Sequence, residues 1–312
     1  MGGPPRAPHA PRVTRVRLAA TLLLGVAAVS SAAPIIRLAG APALTVAAWR
    51  LALAALVALP IAAVRARGEW RAWPPRTKRL LVFSGVSLGF HFALWIRSLD
   101  LTSIASSVLF VTTTPIWTGI ASHVILRERL AARQVAGILV AVAGSALIGG
   151  ADLGPGRHAL LGDALAVAGS WAVSAYFLVG RAVRRDVSLA AYVGISYAVA
   201  AVTLVLLAAL FGAPLLAISR RTLVCVVALA AGPQLLGHSS FNWALRYLPA
   251  AVVTVVVLAE PIGATLLAAG FLGERPSALQ ALGGAVLLAG IALAVRGERA
   301  TPAAATPPSA RT

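Results

Sequence analysis

Long apolar runs separated by short clusters of Arg, Pro and Gly set the pattern of this chain. Crossing the hydrocarbon core of a bilayer takes about 20 mostly apolar residues in a helix. Ten segments meet that length, some narrowly: 18–36, 44–64, 80–97, 103–125, 134–150, 159–180, 189–211, 222–244, 250–272 and 277–295. Within each run the apolar residues are continuous rather than alternating with polar ones. That predicts spanning helices and argues against a barrel, whose strands alternate. The fold class read from the pattern is an all-α membrane protein with ten transmembrane helices. The Pro- and Arg-rich stretch before Leu18 has the charged and apolar regions of a signal peptide, but the many runs that follow favour a cytoplasmic tail and a retained first helix. The Pro/Ala/Thr-rich end reads as a disordered tail.

Composition sharpens this picture. The chain is 59% hydrophobic and 12% charged, against about 25% charged in a soluble domain. Its polar surface is too small for a water-soluble globule. The net charge of +18 raises the question of nucleic acid, which is rejected because the basic residues form no basic domain. They fall in the gaps between runs. With the N-terminus inside, cytoplasmic segments hold 20 Lys and Arg, outer segments hold 6, and Arg50 lies within a span. The bias places both termini in the cytoplasm. Arg65–Arg79 is its strongest part, and Trp70 and Trp73 there suit an interfacial anchor. One Lys against 26 Arg, with heavy Ala, Gly and Val, fits a high-GC bacterial coding sequence and hence the bacterial inner membrane. Cys225 stands alone, so no disulfide or Cys metal site is available.

Residues 115–144 align without gaps on 261–290, with eleven of thirty positions identical. The matches include Pro115/Pro261, Glu128/Glu274, Arg129/Arg275, Gln134/Gln280, Gly137/Gly283 and Gly144/Gly290. Ala/Leu bias does not place Pro, Glu-Arg, Gln and two Gly in register, so the chain is internally duplicated. A unit of five helices is odd, so the second copy enters the membrane from the opposite side, as in secondary transporters built from inverted repeats. The organisation read is a tail over 1–17, a first five-helix repeat over 18–150, a second over 151–296 and a tail over 297–312.

The doubled pattern Pro-x12-Glu-Arg-x7-Gly-x6-Gly, with the stretches GFHFALWIRSL from Gly89 and GHSSFNWALRYL from Gly237, resembles the EamA-like members of the drug/metabolite transporter superfamily. The resemblance spans about residues 15–296. It implies ten helices in two inverted repeats, a central cavity, and transport of small organic metabolites, usually export. It specifies no substrate.

Several residues stand out. Glu260 lies inside the ninth run directly before Pro261, and an ionisable group in a bilayer is functional by default. It reads as a group that takes up and releases a proton, or as one that pairs with a single cation and locks helices. Its match in the first repeat is Thr114, so any proton role is asymmetric. Pro115 and Pro261 break their helices and free carbonyls that can line a cavity; the hydroxyls of Thr112, Thr113 and Thr114 can satisfy such carbonyls or touch substrate. Arg50 can neutralise Glu260, hold an anion, or snorkel to the outer interface. His91 and Trp95 are four apart on the third run, and so are His238 and Asn242, beside Trp243, on the eighth. Such spacing shares a helix face and suggests a ligand cage, or else interhelical glue. Glu128–Arg129 and Glu274–Arg275 read as structural interfacial charge pairs or gate-locking bridges.

No Gly-x4-Gly-Lys-Ser/Thr loop is present, so no ATP-driven motor is encoded. No paired acids, nucleophile–base set or metal-ligand cluster marks an enzyme, and no cofactor is expected. The expected partners are a small-molecule substrate, the lipid bilayer and protons, with a homodimer left open. A non-transporting scaffold or sensor is the alternative, though the chain has no hydrophilic stretch long enough for an output domain.

Overall fold

The computed structural model describes residues 14–128, 130–149, 157–263, 266–267 and 277–296. Among them all regular structure is helical. The first run forms α1 (Arg15–Ser30) and α2 (Ala32–Ala39), with a break at Ser31 three residues before Pro34. α3 (Ala43–Arg65) follows, then the short α4 (Glu69–Ala72) and α5 (Pro75–Ser98). The fourth run is split into α6 (Ile104–Val111) and α7 (Thr114–Ile125), just before Pro115. Then come α8 (Ala132–Gly149), α9 (Arg157–Val183) and α10 (Leu189–Leu210). The eighth run begins as α11 (Arg220–Leu229), passes through a π-helix (Ala230–His238) containing Pro233, and ends as α12 (Ser239–Ala244). α13 (Ala250–Val257) and α14 (Ala278–Arg296) complete it. Starts are set by hydroxyl caps: Thr14, Ser103, Ser188 and Ser219 each accept a hydrogen bond from a backbone N–H three residues on.

Among the described residues, eight helical stretches are long and apolar enough to cross a membrane, and two more, Ala132–Ile148 and Ala250–Gly263, are apolar but shorter. The ten expected runs therefore all contain apolar helix, eight of them at spanning length. Within the ninth run the α-helix is interrupted. The α-helix ends at Val257 and turns at Leu258–Ala259 before Pro261, whose ring clashes with the carbonyl four residues back.

The outward faces are apolar: Leu23, Leu56, Val124, Leu206 and Val224 are all exposed. Polar side chains are instead taken inside, among them Arg50, Ser84, Gln234 and Asn242. That is the arrangement expected of a surface facing lipid rather than water.

Close approach through glycine fixes how the helices run. On α8 and α14, a methyl group on Gly137 would strike the backbone of Ala294, on Gly144 that of Leu287, and on Gly290 that of Ala141; on Gly283 it would strike Ile148. As the residue number rises on one helix it falls on the other, so the two are antiparallel. The contacts also exchange under the 146-residue offset. Gly137 maps to Gly283 and Ala294 to Ile148, while Gly144 maps to Gly290 and Leu287 to Ala141. By the same reading α3 opposes α10, since Gly194 meets Ala58 and Ala62 while Thr45 donates to the carbonyl of Pro214. α1 opposes the π-helix and α12, with Gly25 on Phe241 and Gly237 on Val29. α5 runs parallel to α10, with Gly85 on Val199 and Gly89 on Thr203.

Candidate functional site

Three of the helix breaks gather around one cavity. α2 begins at its edge, the α6–α7 break supplies Val111, Thr112, Thr114 and Pro115, and the turn after α13 supplies Leu258 and Glu260. From the long helices come Arg50, His91, Trp95, Val173 and Phe177, and from the eighth run His238 and Phe241. The space open to water-sized groups is about 60 Å³. A water needs ~10–15 Å³ by that measure, so this conformation admits a few waters, and a larger solute enters only with rearrangement.

At Pro115 the chain's own hydroxyls take up freed carbonyls. Thr114 Oγ1 donates to Val111 O (2.6 Å), Thr113 Oγ1 to Phe110 O (2.7 Å) and Thr112 Oγ1 to Leu109 O (2.8 Å). Val111 O is the carbonyl that Pro115, lacking an N–H, leaves without its helical partner.

Arg50 is turned inward and is only 1% exposed, not extended towards an interface. Its Nε donates to Gln234 Oε1 at 3.0 Å, and its guanidinium lies 4.1 Å from the centre of the Phe92 ring. Arg50 and Glu260 line the same cavity, yet no ion pair within 4.0 Å joins them. Among the described residues the ion pairs are Arg97–Asp100 and Arg181–Glu128. Glu260 is the one acid among the lining residues.

His91 Nδ1 lies 2.9 Å from the carbonyl of Gly169. A carbonyl only accepts, so Nδ1 carries the hydrogen. The His91 ring stacks on Trp95 at 5.9 Å with an interplanar angle of 6°. Phe92 meets His238 edge-on at 5.4 Å. The third and eighth runs thus face each other through aromatic rings.

Asn242 and Trp243 lie away from the cavity. Asn242 is fully buried and donates from Nδ2 to the Tyr176 hydroxyl at 2.5 Å. Four residues are one turn, ~6 Å along the axis, which carries Asn242 beyond His238 into a polar core. There the Tyr192 hydroxyl donates to Tyr176 O (2.9 Å) and accepts from Ser84 Oγ (2.7 Å). Trp243 packs on Tyr247, with Arg17 over its ring.

Glu128 finds its partner on α9: Arg181 Nε at 2.8 Å, with Arg181 Nη1 also donating to Leu245 O. Arg129, Glu274 and Arg275 lie outside the described residues. Arg184, counted in the sequence among cytoplasmic charges, is buried, and its guanidinium donates to the carbonyls of Asn242 and Val187.

Sequence reading missed Gln234, Phe92, Phe177 and Phe241. Gln234 carried a usable signal, an amide inside an apolar run beside Pro233, since polar groups at membrane depth mark function or packing. The phenylalanines carried none, because in an apolar run a ring facing a cavity reads like one facing lipid.

The profile of the EamA-like transporter family matches residues 17–150 and again 160–296. A solved crystal structure superposes with a TM-score of 0.76 at 22% sequence identity, over 91% of this chain and 98% of that one, a likeness of fold. Among curated proteins no match is found. A profile matched twice over most of the sequence, on a chain whose helices are long and apolar enough to cross a bilayer several times, settles its kind: it is a multi-span membrane protein and belongs to the EamA-like transporter family.

Proposed function

We propose that the chain is a secondary transporter that exports a small organic solute across a bacterial inner membrane by alternating access. In this reading ten spans form two inverted five-helix repeats, and both termini are cytoplasmic. The observation that carries it is the central cavity, lined from both halves of the chain and holding one arginine, Arg50, and one acid, Glu260. Such groups are costly at membrane depth and mark solute or ion paths. Support for inversion comes from α8 and α14, whose contacts exchange under the 146-residue offset while the helices run antiparallel. The directions of α3 against α10 and of α5 with α10 agree with ten alternating crossings.

Glu260 is the proposed proton-coupling group, beside the helix break at Pro261. The test is solute flux into proteoliposomes of the purified protein over a mixed metabolite pool, with and without a pH gradient. Gradient-driven flux of one solute class is expected, and Glu260→Gln is expected to lose the gradient dependence. Unchanged flux and pH dependence in Glu260→Gln would remove the coupling role and leave a facilitator. No flux from protein shown to be folded would overturn transport in favour of a membrane scaffold.

A further inference from the structure

Resting on the transporter reading, the polar atoms around Arg50 narrow the solute. Four buried side-chain nitrogens in this region have no hydrogen-bond partner in the protein: Arg50 Nη1, Trp95 Nε1, Gln234 Nε2 and His238 Nδ1. Three of the four side chains line the cavity, and the fourth, Gln234, is bonded to Arg50. Guanidinium, indole and amide nitrogens donate and do not accept. Arg50, Trp95 and Gln234 therefore each present a buried donor that has no acceptor in the protein. A buried donor without an acceptor costs the full desolvation of that group, and a buried cation more so.

The guanidinium is also held in place. Gln234 Oε1 takes Nε, and the Phe92 ring packs against its face. That fixes the plane of the fork while leaving Nη1 free. Arginine is always charged and its planar fork matches a carboxylate. Glu260, the acid in the cavity, is not within 4.0 Å of it. Val173, Phe177 and Phe241 add apolar and aromatic surface to the same cavity, beside the hydroxyls of Thr112, Thr114 and Thr254.

We infer that Arg50, Trp95 and Gln234 form a carboxylate-binding subsite on one side of the central cavity, taking an organic acid with an apolar body. Arg50 meets the charge, and the indole and amide N–H groups take the remaining oxygen lone pairs. The aromatic lining receives the body of the solute.

The experiment is calorimetric titration of the full chain in lipid nanodiscs with four probes of similar shape: 3-phenylpropionate, its amide, 3-phenylpropylamine and 2-phenylethylphosphonate. The carboxylate is expected to bind at least about tenfold more tightly than the amide, the range of a hydrogen bond to a charged group. Arg50→Gln is expected to erase that difference. Trp95→Phe, which keeps an aromatic ring but loses the N–H together with the five-membered ring, is expected to weaken the carboxylate severalfold more than it weakens the amide. If Arg50→Gln fails to fold, the wild-type series and Trp95→Phe still decide the matter. Amide or amine binding as tight as the carboxylate overturns the subsite, as does tighter binding of the phosphonate or full affinity in folded Arg50→Gln. If no probe binds but solutes of the mixed pool still move in proteoliposomes, the subsite falls and transport stands. If neither binding nor flux occurs, the transporter reading itself falls.

Discussion

Tyr192 brings its hydroxyl into an apolar interior where each polar atom needs a protein partner. Its oxygen donates to the carbonyl of Tyr176 and accepts from Ser84, and Asn242 caps the Tyr176 hydroxyl in turn. These residues tie α5, α9, α10 and α12 together through side chains that face no solute. Tyr192→Phe removes one oxygen and leaves the Ser84 hydroxyl without its best acceptor. Buried hydrogen bonds between membrane helices contribute ~0.6–2 kcal/mol, so a fall in thermal stability of about 1 kcal/mol is expected, with transport retained. Melting of the detergent-solubilised protein followed by size-exclusion chromatography reads the first, and flux reads the second. Loss of flux in a variant with unchanged melting would move this network from scaffold to transport machinery.

At the scale of elements, glycine sets how closely α8 and α14 approach. A methyl group on Gly144 meets backbone atoms of Leu287 and Gly283, which cannot move aside without moving the helix. On Gly119 of α7 it meets only the ends of the Leu130 and Ile138 side chains, at 3.3 and 3.7 Å. Overpacking costs ~1–3 kcal/mol. Gly144→Ala is expected to lower the melting temperature clearly and Gly119→Ala to change it little; equal melting of the two would mean that the α8–α14 contact is slack. The spans were legible because an apolar run of membrane length has few other readings, and the repeat because Pro, Glu-Arg and Gly recur in register. The helix breaks were half legible. Pro115 and Pro261 mark where backbone bonds fail, but the break before Pro34 and the π-helix around Pro233 were not read from the sequence. The partners of Arg50 were not legible: Gln234 stands 184 positions away, and only the opposed packing of helices brings them together. His238 and Asn242 share a face, as their spacing says, yet depth along the helix, which spacing does not encode, separates cavity from polar core.

Over the whole molecule, the two ends of the helix bundle are held by different kinds of contact. At the end that is cytoplasmic in the proposed orientation, Arg181 bridges Glu128 after α7 and the carbonyl of Leu245 after α12, so three helix ends meet in one guanidinium. At the other end the ties are hydrogen bonds: Arg37 to the carbonyl of Thr102 (3.3 Å), Thr45 to that of Pro214 (3.0 Å), Trp49 Nε1 to that of Leu215 (2.8 Å) and Thr222 to that of Ala39 (2.9 Å). The cytoplasmic end is thus tied through one charge pair, which a single substitution can remove. Alternating access requires that tie to break. Partly exposed pairs contribute ~1 kcal/mol at most, and 1 kcal/mol is about a fivefold change in an equilibrium ratio. With Val257→Cys as reporter in the cavity lining and Cys225→Ala to remove the native thiol, Glu128→Gln is expected to speed maleimide labelling from the cytoplasmic side about fivefold in oriented vesicles. Labelling from the opposite side should slow or stay unchanged. The charge swap Glu128→Arg with Arg181→Glu should restore the rates in part, because the attraction depends on the pair while the bond to the carbonyl of Leu245 is lost. Rates that stay fixed in Glu128→Gln and in Arg181→Gln alike would show that apolar packing of the helix ends, not this pair, closes the cavity.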